Sequence, residues 1–284
     1  MRAACLGAAT LAAAALACGC GASITARPPA NRFDGAAAMR WVKLQVGYGP
    51  RPAGSRASRA LAERLRRALP QGRFQPAPGG LRNVVGEVPG RDPGDVVVVG
   101  AHYDTKNIPG FVGAIDGASG TAVAVQLART LGPREVRPTV VFALFDGEES
   151  PRGTPDTEAV FVRRGLRGSK VAASAWPHAR AMILLDFVGN RHLSLPREGY
   201  SDARLWSRLR AAARRAGFGG AFPDRTTGPV ADDHLPFRHR GVPAIDLIDF
   251  DFPCLHRRCD DLSQVSTRSL DATGESVLQL LLGS

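Results

Sequence analysis

Residues 95–104 read DVVVVGAHYD, four valines and a Gly-Ala step that run straight into His102, Tyr103 and Asp104. A continuous β-branched run of this kind predicts a strand buried on both faces, the habit of strands in parallel sheets covered by helices. Polar residues at its end would then mark a carboxyl edge. The pattern recurs. PTVVFALF (138–145) runs into Asp146, Gly147, Glu148 and Glu149, AMILLDFVG (181–189) carries Asp186, VPAIDLI (242–248) forms a further strand, and RNVVGEV (82–88) is also β-rich.

Between these runs the apolar period changes to three-to-four. Asp34 is placed to cap a helix over about 35–47, and Ser55 one over about 56–69. GTAVAVQLARTL gives a helix opened by Ser119, a looser helical stretch covers about 157–175, and further helices cover 202–216 and 267–282. This alternation predicts a single-domain three-layer α/β/α fold with a mostly parallel central sheet, occupying residues 35–284.

The chain has 284 residues, 44% of them apolar, enough for a full core without staples. Its formal charge of +11 is almost all arginine, since Lys43, Lys106 and Lys170 are the only lysines. The arginines are spread over helical patterns with no dense basic block, which argues against nucleic acid as a partner. A monomer is expected.

At the N-terminus a single early arginine precedes an Ala/Leu run too short to span a bilayer, followed by small residues, the layout of a secretory signal over residues 1–20. Cys18 stands where a lipoprotein would carry its lipid, so a signal that is cut away and a membrane tether through Cys18 are both readings of this stretch. Each puts the mature chain outside the cytoplasm. Residues 21–34 read as a tether. Of five cysteines only Cys254 and Cys259 fall in the body, where they could pair across a short loop in an oxidising compartment.

In open α/β sheets the functional crevice lies beyond the carboxyl ends of the strands. His102, Asp116, Glu149, Asp186 and His256 bring two histidines and three carboxylates to that edge. Each has a plain structural reading: Asp116 could cap the following helix, Asp104 could close a turn, and His234 could pack on a helix face. Together, however, carboxylates held close repel one another and raise one another's pKa, a conflict that a bound cation resolves. Nitrogen and oxygen ligands without a suitably placed thiolate pair suit catalytic Zn²⁺, as one ion or as two sharing a carboxylate. Glu148, next to Glu149, would face substrate as general base.

GAHYDTK (100–106), FVGAIDGASG (111–120), FDGEE (145–149), LLDFVG (184–189), DDHLPF (232–237), RGVPAIDLI (240–248) and His256, in that order, resemble the glutaminyl-peptide cyclotransferases and the related di-zinc aminopeptidases, which share one fold. The resemblance implies that Asp116, Glu149 and His256 hold the zinc of a cyclase. His102 and Asp186 would complete a second metal site in an aminopeptidase, with Asp116 bridging. It further implies that Glu148 shuttles the proton and that Asp186 and Asp232 form an acidic hydrogen-bond chain beside it. The substrate would be a free peptide N-terminus, either a glutamine closed to pyroglutamate or a first residue hydrolysed away. A third reading is a silent peptide-binding lipoprotein.

The chain departs from the animal cyclases in its pocket. Their tryptophans are missing from SPRGT (150–154) and from Leu255, and Ala101 and Thr121 stand where a disulfide would be. Asp246 replaces a histidine, and Arg257 follows the metal histidine in place of threonine. Asp246 and Arg257 are candidates for substrate contact; Arg257 could also screen the acidic cluster or weaken metal binding. A site made from Cys254, His256 and Cys259 is a further arrangement, disfavoured where thiols oxidise.

Overall fold

The computed structural model describes Met1, residues 31–155 and residues 157–284. The expected leader beyond Met1, Cys18 included, and the tether as far as residue 30 lie outside the described residues. The tether ends earlier than residue 34. Phe33 is buried, and its amide donates to Glu275 at 2.9 Å, so the chain has already joined the body there. Asp34 then caps α1 (Gly35–Val46) by accepting from the Ala37 amide, and Ser55 caps α2 (Arg56–Ala68) by accepting from the Ser58 amide.

Six strands form one sheet among the described residues: β1 (Arg73–Ala77), β2 (Leu81–Val88), β3 (Asp92–His102), β4 (Pro138–Phe145), β5 (Ala181–Leu185) and β6 (Ala244–Leu247), in the order β1-β2-β4-β3-β5-β6. From β4 through β3 and β5 to β6 the strands are parallel, in a register that pairs His102 with Phe145 and Leu184 with Asp246. The sheet is mixed overall, because β1 and β2 form an antiparallel hairpin and β2 runs antiparallel to β4. β1 is an addition to the sequence reading. It carries Pro76, which only an edge strand tolerates, and it sits in a stretch that reads as turn.

Side chains alternate across β3, as a strand buried on both faces requires. Val97, Val99 and Ala101 face one core, shared with α1, α3 (Ala118–Thr130), α6 (Ala203–Arg215) and α8 (Thr267–Leu282), while Val98 faces the other, with Ala172, Ala173 and Phe237. The second layer comprises α5 (Arg167–Ala175) and α7 (Leu235–Arg238). The three layers expected from the alternation are therefore present. The loose helical stretch near 157–175 is two helices, α4 (Glu158–Arg164) and α5, separated at Gly165 and Leu166, the latter in the left-handed region (φ 53°).

Helix α3 sets the geometry of the carboxyl edge. A Cβ on Gly120 would meet the Leu185 carbonyl oxygen at 1.9 Å, so glycine lets the helix lie against the end of β5. The N-cap of α3 is Gly117 (φ 80°), with no side-chain cap bond. Ser119 instead donates to the Ile115 carbonyl, and Asp116 is left free of the capping role that its position allows.

Candidate metal centre at the carboxyl edge of the sheet

The strands of the parallel half bring polar groups to the same edge. His102 is the last residue of β3, Glu148 and Glu149 follow β4, and Asp186 follows β5 with its amide donating to the Leu247 carbonyl on β6 (2.9 Å). Asp116 enters from the loop before α3, and His256 from the loop after β6. Two sets of ligand atoms result, His102 with Asp116 and Asp186, and Asp116 with Glu149 and His256, the atoms of each set lying within 4.8 Å of one another. Asp116 belongs to both.

His102 Nε2 stands 3.2 Å from Asp116 Oδ1 and 3.3 Å from Asp186 Oδ1, and His256 Nε2 stands 3.7 Å from Asp116 Oδ2. All the carboxylates are buried, and burial dominates their titration. It raises Glu148 well above the usual range, with Glu149 adding repulsion, and it raises Glu149 to about 8, with Asp116 adding to it. Asp186 is raised by the same burial. Asp116 goes the other way: burial pushes it up, but His102, His256 and Lys106 together outweigh that and hold it below its ordinary value. His102 is raised well above 6.5 because four surrounding carboxylates overcome its desolvation.

The donor set fits a metal. Asp116 Oδ2 and His102 Nδ1 are buried without a hydrogen-bond partner, and such orphaned atoms are costly unless something else satisfies them. Imidazole nitrogen with carboxylate oxygen is the chemistry of zinc sites that keep an open position. His102 Nδ1 faces Asp104 Oδ1 at 3.7 Å, an arrangement in which an outer carboxylate orients a ligating imidazole.

Three residues that the sequence reading did not place at the site brace it. Asp104, open to reading as a turn residue, accepts the amides of Glu148 and Glu149 (3.3 Å each) and so fixes the loop carrying both. Asp260 accepts the amides of Ile115 (2.7 Å) and Asp116 (3.0 Å) across 145 and 144 residues of sequence. Lys106 places its ammonium 3.2 Å from Glu149 Oε2. In the sequence Asp104 and Lys106 are marked only by their place in GAHYDTK (100–106), just after His102, whereas Asp260 acts on backbone amides and leaves no pattern.

Glu148, Glu149, Asp186, Asp232 and His256 open onto a cavity of about 290 Å³, whose apolar walls include Phe161, Phe187 and Ile248. A larger hollow, about 570 Å³, lies between α1, α2 and the end of α3; arginines dominate its polar lining, and it holds none of these residues. Asp232 is buried, and its carboxyl is raised to about 7 by that burial and by Asp186. Asp246, expected at substrate, is instead sealed on β6 and does not line the cavity. Burial and the nearby Asp232 raise its carboxyl. Arg257, the other residue expected at substrate, is exposed and likewise absent from the cavity wall, because the loop turns it outward. Cys254 and Cys259 form a disulfide (Cα–Cα 5.4 Å) around His256, which rules out a thiolate site there.

The peptidase family M28 model matches residues 83–281, most of the chain and every residue of the two ligand sets. This chain belongs to peptidase family M28. Among curated M28-like relatives, the glutaminyl-peptide cyclotransferase of Bos taurus is 28% identical over 221 residues, 66% of this chain and 61% of the bovine protein. The chain thus spans about three fifths of that relative's length. Two solved structures from Bacteroides thetaiotaomicron, each 25% identical, superpose nearly equally well. A leucine aminopeptidase precursor gives a TM-score of 0.78, covering 90% of this chain and 99% of that one, and a glutaminyl cyclase gives 0.77, covering 91% and 100%. Overall shape therefore does not separate cyclase from peptidase within this fold.

Proposed function

We propose that the chain is a zinc-dependent glutaminyl-peptide cyclotransferase, closing an N-terminal glutamine to pyroglutamate with release of ammonia. The observation that carries this reading is Asp232. It belongs to neither ligand set, yet it shares the cavity wall with Glu148 and Asp186 and is backed by the buried carboxyl of Asp246. Buried carboxyls ranged beside Glu148, with Asp232 raised to about 7, favour retention of a proton there, which suits a reaction that must pass one to departing ammonia.

Asp116, Glu149 and His256 would hold the zinc, which when bound supplies Lewis acidity toward a carbonyl oxygen. Glu148 takes a proton from the substrate α-amine as that nitrogen attacks the side-chain amide carbon. It then passes the proton to the amide nitrogen, which leaves as ammonia as the ring closes. Asp186 and Asp232 hold the shared proton that keeps Glu148 oriented between the two nitrogens. Because nucleophile and electrophile belong to one residue, alignment supplies much of the rate, and the apolar walls formed by Phe161, Phe187 and Ile248 favour the folded-back side chain.

A second reading, an aminopeptidase, is favoured by the His102–Asp116–Asp186 set, which offers ligands for a second ion. There Glu148 would take its proton from an attacking water. Mass spectrometry of zinc-loaded protein with one glutamine-first and one leucine-first peptide tests both readings. Loss of one ammonia from the first peptide, with the second intact, is expected; release of free N-terminal residues would replace cyclase by peptidase. Glu148→Gln is expected to keep its metal and lose about 10²–10⁴-fold in kcat. Full activity in that variant would sink either mechanism.

We also propose an extracytoplasmic site of action. Its supports are the signal-like N-terminus and the Cys254–Cys259 disulfide, since such bonds persist in oxidising compartments.

A further inference from the structure

The wall that closes the cavity beside Glu148 has a second side. Pro229, Val230, Ile248 and Phe250 line that cavity and also line a neighbouring hollow of about 330 Å³, which Pro196 and Thr227 help to complete. Phe250 is 50% exposed, so a large aromatic face is held at the boundary between the two spaces without being packed away. A single exposed aromatic is ordinary; one that joins a catalytic cavity to a second apolar-walled hollow is placed for contact with a ligand.

The hollow is built from pinned backbone. The Gly199 amide donates to the Gly228 carbonyl (3.2 Å), the Thr227 amide to the Arg197 carbonyl (2.9 Å) and the Val230 amide to Glu198 (3.1 Å). Asp249, which also lines it, is buried and accepts from Asn190 Nδ2 (2.8 Å) and the Ser194 amide (3.3 Å). That carboxylate is already engaged, and the proline, valine, isoleucine and phenylalanine surfaces remain to be covered. Walls fixed in advance reduce the ordering cost of binding.

We propose that this hollow is a subsite for an apolar side chain at the second or third position of the peptide substrate, entered across Phe250 from the cavity that takes the N-terminal residue. The inference rests on the peptide N-terminus reading given above, and its occupant follows from continuity: a peptide whose first residue lies over Glu148 must leave along one of that cavity's walls, and this wall leads to further apolar surface.

The test separates affinity from turnover. Dissociation constants for Gln-Ala-Ala-amide, Gln-Phe-Ala-amide and Gln-Ala-Phe-amide are measured by calorimetry on zinc-loaded full-length Glu148→Gln protein, and kcat and KM on the wild type. One of the phenylalanine peptides is expected to bind about tenfold tighter than the alanine peptide, as burial of an aromatic side chain gives, with the gain appearing in KM. Thr227→Trp, which fills the hollow, is expected to bring the three constants within about twofold of one another. Equal binding of all three peptides by a protein that turns them over would overturn the subsite and leave the enzyme reading intact. A phenylalanine preference that persists undiminished in a folded Thr227→Trp protein would also overturn it. Tighter binding of a phenylalanine peptide with no turnover in the wild type would support the subsite and remove the cyclase and peptidase readings.

Discussion

His102 and Asp186 stand at the ends of neighbouring parallel strands, 2% and 4% exposed, and approach Asp116 with their directions set by the sheet. His256, on the other side of Asp116, has a side chain 35% exposed and stands on a loop, in the left-handed backbone region (φ 52°). A non-glycine residue held there is under local strain, which functional sites often retain. The disulfide between Cys254 and Cys259 and the ring of Phe187, 6.5 Å from the histidine ring, confine that loop. One ligand set is thus dictated by the sheet; the other is completed by a constrained loop that faces the cavity. The candidate site thus draws on a rigid interior while one side stays open to the cavity.

Removing the residue the two sets share has the largest expected effect. Asp116→Ala should reduce bound zinc to background and abolish turnover, read by elemental analysis after dialysis; zinc retained at full stoichiometry would mean that the sets do not depend on a common ligand. The next pair of variants sharpens the comparison. His256→Ala should lower zinc affinity by about 10²-fold or more, beyond what loss of an outer-sphere partner costs, while His102→Ala keeps one zinc per chain. Loss of one ion from a starting two in each variant would instead establish two occupied sets and favour the peptidase.

The parallel half of the fold is legible in the sequence for a physical reason. Strands buried on both faces are written as unbroken runs such as VVVV and VVFALF, and the polar residues that end them mark the edge where His102, Glu148, Glu149 and Asp186 gather. β1 is not legible, because a five-residue edge strand containing Pro76 and leading into a glycine turn has the composition of a loop. Asp246 misleads for a related reason. Register places it at the level of Leu184, one layer below the edge, so its carboxyl is sealed in the sheet and does not open onto the cavity. Arg257 misleads because a position next to a ligand says nothing about which way a loop turns.

The smallest of the expected effects tests how far the shared ligand depends on its backbone. Asp260 uses one oxygen for the Ile115 amide and the other for the Asp116 amide, while Arg51, fully buried, donates to the carbonyls of Val112 (2.8 Å) and Gly113 (3.3 Å) in the same loop. The loop that carries Asp116 is therefore gripped through both its donors and its acceptors. Asp260→Asn preserves size but turns one acceptor into a donor that faces an amide N–H, so Asp116 loses its fixed direction toward both ligand sets at once. Zinc affinity should fall by about 10–100-fold, less than on loss of a ligand, with kcat largely recovered when zinc is supplied in excess. Unchanged affinity would show that α3 alone places Asp116. A loss of kcat that saturating zinc does not restore would show that Asp260 also shapes the reacting geometry.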